Sequence, residues 1–234
     1  MTAFPPNDAQ VPSIADAYLA VRQNLFTVLA NWPEKESLIV PATPEWSVRD
    51  VLAHLVDNVR GTASRLAGQP SGTGLSSAPD DGRALLAEWD RLTAAVAPEL
   101  AAAPRRRATL LLMDAYTHEL DIRHTVGLAR PDGHPAFQHA FDLVANGFGG
   151  SVSKHKLPAV QIEMDGLRWV AGDGEPAATL TGHRYDLYRS LVGRRTPAQI
   201  AALAWSADPE QWLAAFDWGP FHPPVHPVED AVGG

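Results

Sequence analysis

Thr109-Leu-Leu-Leu-Met-Asp-Ala-Tyr-Thr-His-Glu-Leu-Asp-Ile-Arg123 is the stretch whose reading decides the fold. Its spacing predicts a helix, and on a helix positions i and i+4 share a face. Asp114 and His118 form such a pair, and Leu111, Ala115 and Ile122 fall on the same side. That face therefore points into a core. A carboxylate and an imidazole held there must be paired, neutralised or bound to something. A divalent metal would satisfy both at once. His54 lies upstream in a second helical stretch, Trp46-Ser-Val-Arg-Asp-Val-Leu-Ala-His54-Leu-Val-Asp57. Three ligands from two helices would leave a fourth position open, as a catalytic metal requires.

Neighbouring polar residues compete for these roles. Asp121 shares the face of His118 and could be a ligand, a carboxylate orienting a histidine, or the partner of an arginine near the helix end. Spacing does not choose between Asp114 and Asp121. His124 lies six residues beyond His118, about 120° around the helix, and should face a different neighbour or solvent. His54 sits at the edge of its helix's apolar stripe, near Val51 and Asn58, where a packed histidine is the competing reading. Trp46 reads as a core anchor at the start of that helix, and Arg105-Arg-Arg107 as a solvated helix start.

The chain has 234 residues, 45% of them hydrophobic, which suffices for packed cores in one large or two modest domains. Its net charge of -8 speaks against nucleic acid as a partner, since that role needs a basic surface. No apolar run approaches a membrane span, and Met1-Thr-Ala-Phe-Pro-Pro6 has neither the basic nor the apolar part of a secretory signal. No membrane partner and a cytoplasmic location are expected. With no cysteine, disulfides, a cysteine nucleophile and thiolate ligands are excluded. Any thiol in the chemistry must come from a small molecule.

The pattern along the chain predicts helices over 13–30, 47–68, 81–102 and 104–127. Ser13 with Asp16 and Ser47 with Asp50 mark helix starts, and Gly127 marks an end. Residues 69–79 read as a mobile loop. Four helices of this length argue for a bundle with its site built from facing side chains. A further helix is expected over 135–150. Two alternating runs about Asp165-Gly166 then predict a hairpin, and 177–181 a short strand. Helices near 183–193, 196–204 and 209–216 complete a small α+β part. The Pro- and His-rich tail from Trp218, with His222 and His226, reads as disordered surface.

At these residues the chain resembles a known family. The Trp46–His54 stretch, Asp114-Ala-Tyr-Thr-His118-Glu-Leu-Asp121-Ile-Arg-His-Thr-Val-Gly127, and the later Ala178-Thr-Leu-Thr-Gly-His-Arg-Tyr-Asp-Leu-Tyr-Arg-Ser-Leu-Val-Gly-Arg-Arg195 with Trp205-Ser-Ala-Asp208 are similar to the mycothiol-dependent maleylpyruvate isomerase family. The resemblance covers nearly the whole chain. It implies a DinB-like four-helix bundle over residues 1–150, then a small sterol-carrier-like α+β domain over 151–234. It also implies zinc or a similar divalent ion held by His54, Asp114 and His118. The isomerase itself has Glu at the acidic position, where this chain has Asp114, one methylene shorter.

The function expected is that of a metal-dependent enzyme using a low-molecular-weight thiol, mycothiol, on a small electrophilic substrate. The thiolate would add transiently in an isomerisation or permanently in an S-transfer. Metal-dependent hydrolysis without thiol, and sequestration of a small molecule without turnover, are the alternatives. Mycothiol is large and polar, so its site is expected at a cleft between the two parts. Arg194 and Arg195, after Gly193, are candidate cofactor contacts; otherwise they favour a helix C-terminus.

Overall fold

The computed structural model describes residues 11–31, 33–66, 68, 82–102 and 105–230. The loop expected over 69–79 and Pro104 lie outside these residues. The chain divides into two compact units, Val11–Ala140 and the residues from Phe141 on. Among the described residues no helix is long and apolar enough to cross a membrane.

The first unit is built on four helices: α1 (Ile14–Asn31), α2 (Val48–Leu66), α3 (Gly82–Ala102) and α4 (Arg105–Thr125). Two of the expected start signals operate as read. The Ser13 hydroxyl accepts from the Asp16 amide. Ser47 Oγ accepts from the Asp50 amide, while Asp50 Oδ2 accepts from the Ser47 amide and hydroxyl. A cap of this kind is worth about 1 kcal/mol. Gly127 takes a positive φ of 77° just beyond α4, a conformation that only glycine adopts without strain. The apolar stripes of Val21 and Leu25, Leu52 and Leu55, Trp89 and Leu92, and Leu112 and Leu120 are buried together. Trp89 Nε1 donates to the Tyr18 hydroxyl at 3.0 Å, so the buried polar tips of α1 and α3 satisfy each other. Two strands that periodicity did not reveal, β1 (Ile39–Val40) and β2 (Thr43–Ser47), pair antiparallel and lead straight into α2. β1 has only two residues, and β2, with Pro44 inside it, does not alternate, so neither leaves a period-2 signal, yet they place Trp46.

The helix α5 (Phe137–Lys154) spans the boundary between the units. The boundary expected near residue 150 falls inside it. In the second unit β3 (Val160–Met164) and β4 (Leu167–Ala171) form the expected hairpin. Asp165 and Gly166 both have positive φ, 48° and 76°, as its two-residue turn demands. The strand β5 (Ala178–Thr181) lies parallel to β3, and β6 (Ala204–Trp205) closes the order β4-β3-β5-β6. Three short helices follow the pattern: α6 (Arg184–Leu191), α7 (Pro197–Ala201) and α8 (Glu210–Leu213). Thr196 and Gln199 form a reciprocal capping box at α7, with Pro197 in its first turn.

The tail departs from expectation. It is placed through Asp230, and Trp218 bridges to Phe221. Glu229 is only 4% exposed. Its carboxylate accepts from Tyr185 Oη at 2.8 Å, Arg189 Nε at 2.5 Å and Arg195 Nη1. An irregular segment anchored by one buried carboxylate has no periodicity to betray it. His222 and His226 are exposed, as expected, but within this placed segment.

Candidate metal centre

The site is made where α2 and α4 pack on each other. Asp114 and His118 lie one helical turn apart on α4, and His54 comes from α2. One ligand atom from each of the three lies within 4.8 Å of the others. His54 Nε2 is 3.4 Å from Asp114 Oδ1 and 3.3 Å from Oδ2. His118 Nε2 is 3.8 Å from Oδ1. The His54 and His118 rings meet edge to face, with centroids 5.2 Å apart. Asp114 and His54 each keep 29% of their side-chain surface exposed, so the cluster is reached from outside. His118 is buried.

Asp121 takes a different part from Asp114. Its side chain has no exposed surface, and Oδ2 lies 3.2 Å from His118 Nδ1. The pair makes no hydrogen bond, so the contact is electrostatic, and Nε2 is the ring nitrogen on the Asp114 side. A carboxylate in this place stands where the outer partner of a metal-binding histidine stands. Position separates Asp114 from Asp121: Asp114 stands among the histidine Nε2 atoms, Asp121 behind one of them.

Burial works hardest against the charge on Asp114, but the hydrogen bond from His54, the neighbouring His118 and the Asn58 amide outweigh it. Together they hold its carboxyl below the ordinary aspartate value. The carboxylate is thus ready to ligate at neutral pH. Asn58, one turn beyond His54, donates through Nδ2 to Asp114 Oδ2 at 2.8 Å, and the same nitrogen is 3.0 Å from His54 Nε2. Sequence reasoning noted Asn58 only as a neighbour, although its i+4 spacing from His54 was a usable signal.

Trp46 corrects a further expectation. It is not a buried anchor: half-exposed on β2, its ring lies 5.0 Å from that of His54 and 6.2 Å from that of His118. The unforeseen β1–β2 hairpin carries it there. His124 is exposed, on another face of α4 from His118.

A second polar cluster on α4 escaped the sequence reading. Glu119, fully buried, accepts from Arg123 Nε at 2.7 Å and Asn24 Nδ2 at 3.0 Å. Its Oε2 is 3.0 Å from His134 Nε2. His134 Nδ1 accepts from the Ala136 amide, and its Nε2 is also 3.0 Å from Asn24 Nδ2. Arg123 and Asn24 satisfy Oε1, while Oε2 makes no hydrogen bond; the Arg123 guanidinium is what offsets the buried charge of Glu119.

The two candidate cofactor arginines lie in the C-terminal unit. Arg195 is 1% exposed, and its guanidinium is engaged by Asp186 Oδ1 at 2.6 Å and by Glu229. Its charge is paired within the unit, as a buried cation needs carboxylates of its own. Arg194 donates from Nη1 to the Val192 carbonyl at 2.9 Å, at the C-terminus of α6.

Comparison with known proteins agrees with the bundle. No curated protein and no solved structure matches the chain. Residues 17–134, half of the chain and the part that holds His54, Asp114 and His118, match the family model of the DinB superfamily: the chain belongs to the DinB superfamily.

Proposed function

We propose that this chain is a zinc-dependent enzyme that works with a low-molecular-weight thiol, mycothiol in the first instance, on a small electrophilic substrate by isomerisation or S-transfer. Three ligand atoms from two helices, convergent and reachable from outside, carry this reading. Two imidazole nitrogens and one carboxylate suit zinc, and three protein ligands leave room for an exogenous group. A divalent ion held by His54, Asp114 and His118 would supply a lowered thiol pKa at neutral pH. Asp121, 3.2 Å from His118 Nδ1, places a negative charge on the side of that ring away from Asp114. Trp46 offers an apolar wall beside both histidines, which excludes water and gives the carbon skeleton of a substrate a surface to lie on. The chain has no cysteine, so the thiol is exogenous. The likeness of the Trp46–His54 and Asp114–Gly127 stretches to the mycothiol-dependent maleylpyruvate isomerase family supports mycothiol as the thiol to try.

Elemental analysis of protein purified without chelator, followed by calorimetric titration with mycothiol and turnover of electrophiles with and without it, tests the proposal. The expected result is about one divalent ion per chain and turnover that requires thiol. Ester or amide cleavage without thiol would replace it with hydrolysis. Tight ligand binding without turnover would replace it with sequestration. Absence of metal binding would end it.

A further inference from the structure

The two oxygens of Asp114 are not equivalent. Oδ2 accepts from Asn58 Nδ2 at 2.8 Å, while Oδ1 is the oxygen that His118 Nε2 approaches, at 3.8 Å. His54 Nε2 is nearly equidistant from the two, so it does not choose between them. The Asn58 amide does. Its orientation is fixed by chemistry, because the Asp114 oxygen it meets can only accept. Turned over, its carbonyl oxygen would face a carboxylate.

We propose that Asn58 is a positioning residue that makes Asp114 a one-oxygen ligand, holding Oδ2 aside and presenting Oδ1 to the ion shared with His54 and His118. The inference rests on the metal reading above. A carboxylate can meet an ion with one oxygen or with both; one oxygen favours the low coordination number typical of zinc, while larger ions with oxygen-rich shells use two. Asp114 has one methylene fewer than glutamate and so less freedom to turn. A donor on the facing helix therefore sets its rotation. When an ion takes the His54 Nε2 lone pair, the Asn58 contact to that nitrogen is given up, but the contact to Asp114 Oδ2 is retained. Asn58 thereby holds Asp114 from behind without itself ligating.

Cobalt(II) and zinc binding to the full chain provide the test, with Asn58→Ala and Asn58→Ser as two variants that both remove the reach of the amide. Circular dichroism of the metal-free proteins checks folding, so that either variant suffices if the other does not fold. In the wild type, cobalt should give the intense visible bands of a four-coordinate ion. In the variants these bands should weaken toward those of a higher coordination number, as the second oxygen becomes free. Zinc affinity, measured against a chromophoric chelator, should fall by about 10–100-fold, and manganese affinity should fall less. An unchanged cobalt spectrum with unchanged zinc affinity in a folded variant overturns the proposal. Failure of the wild type to bind either ion instead overturns the metal reading on which it stands.

Discussion

In the C-terminal unit Asp186 and Glu229 are set against Arg189 and Arg195; in the N-terminal unit Asp114 is set against His54, His118 and Asn58. The first group balances two negative charges with two positive ones, and none of its side chains is more than 2% exposed. Burial pushes the Tyr185 hydroxyl up to about 12, so it stays a phenol that donates to Glu229. Nothing in that network is left for a ligand to satisfy. The second group sets one carboxylate among imidazole nitrogens and an amide, and remains partly open. Its lone pairs converge without a cation of the protein's own. Buried charge is therefore not by itself a sign of function. What distinguishes the two is whether the charge is closed by protein partners. Glu119, in the same unit as Asp114 but ion-paired with Arg123 and bonded to Asn24, falls on the structural side of that line.

The largest effect that could break the contrast lies in the closed network. Removing one member of a buried ion pair strands the remaining charge and costs about 3–5 kcal/mol. Arg195→Ala should lower stability by that order, read from chemical unfolding, with metal content per folded chain unchanged. Intact stability with reduced thiol affinity would instead return Arg195 to the role of a cofactor contact. In the open cluster, His118→Ala should abolish metal retention, a greater loss than the ~100-fold upper range for an outer partner. Elemental analysis that finds a full complement of metal in this variant would refute the ligand assignment.

Asp121→Asn sharpens the contrast within the cluster. It should weaken metal binding by about 10–100-fold, since it disturbs only the orientation of His118, whereas Asp114→Asn should be much worse. A chelator competition assay giving the reverse order would exchange their roles. The smallest effect is in pH. Burial opposes the charge on Glu229 most strongly, but Arg189 and Arg195 overcome it and hold the carboxyl below its ordinary value of 4.5. As acid is added, the unfolded state takes up the proton first, so the stability contributed by Glu229 is complete above about that value and is lost as pH falls through the lower folded one. Glu229→Gln should be less stable at neutral pH and show a shallower acid decline. An identical acid slope in the two proteins would show that Glu229 is not held by the arginines.

The bundle, the hairpin about Asp165-Gly166 and the pair Asp114–His118 were legible in the sequence because each is a local periodicity. Helical spacing sorts residues onto faces, and a two-residue turn with positive φ announces itself by its residue types. Ser13 and Ser47 were legible for the same reason, as caps act over three residues. Tertiary structure decided what depends on separations the chain does not encode locally. It brought His54 to α4, set Asp121 behind His118 and Asp114 in front, and carried Trp46 over the histidines on a hairpin whose strands do not alternate. It also closed Arg195, a candidate cofactor contact, with Glu229, thirty-four residues away. A polar residue's role is set by its partners, and partners from different elements meet only through packing.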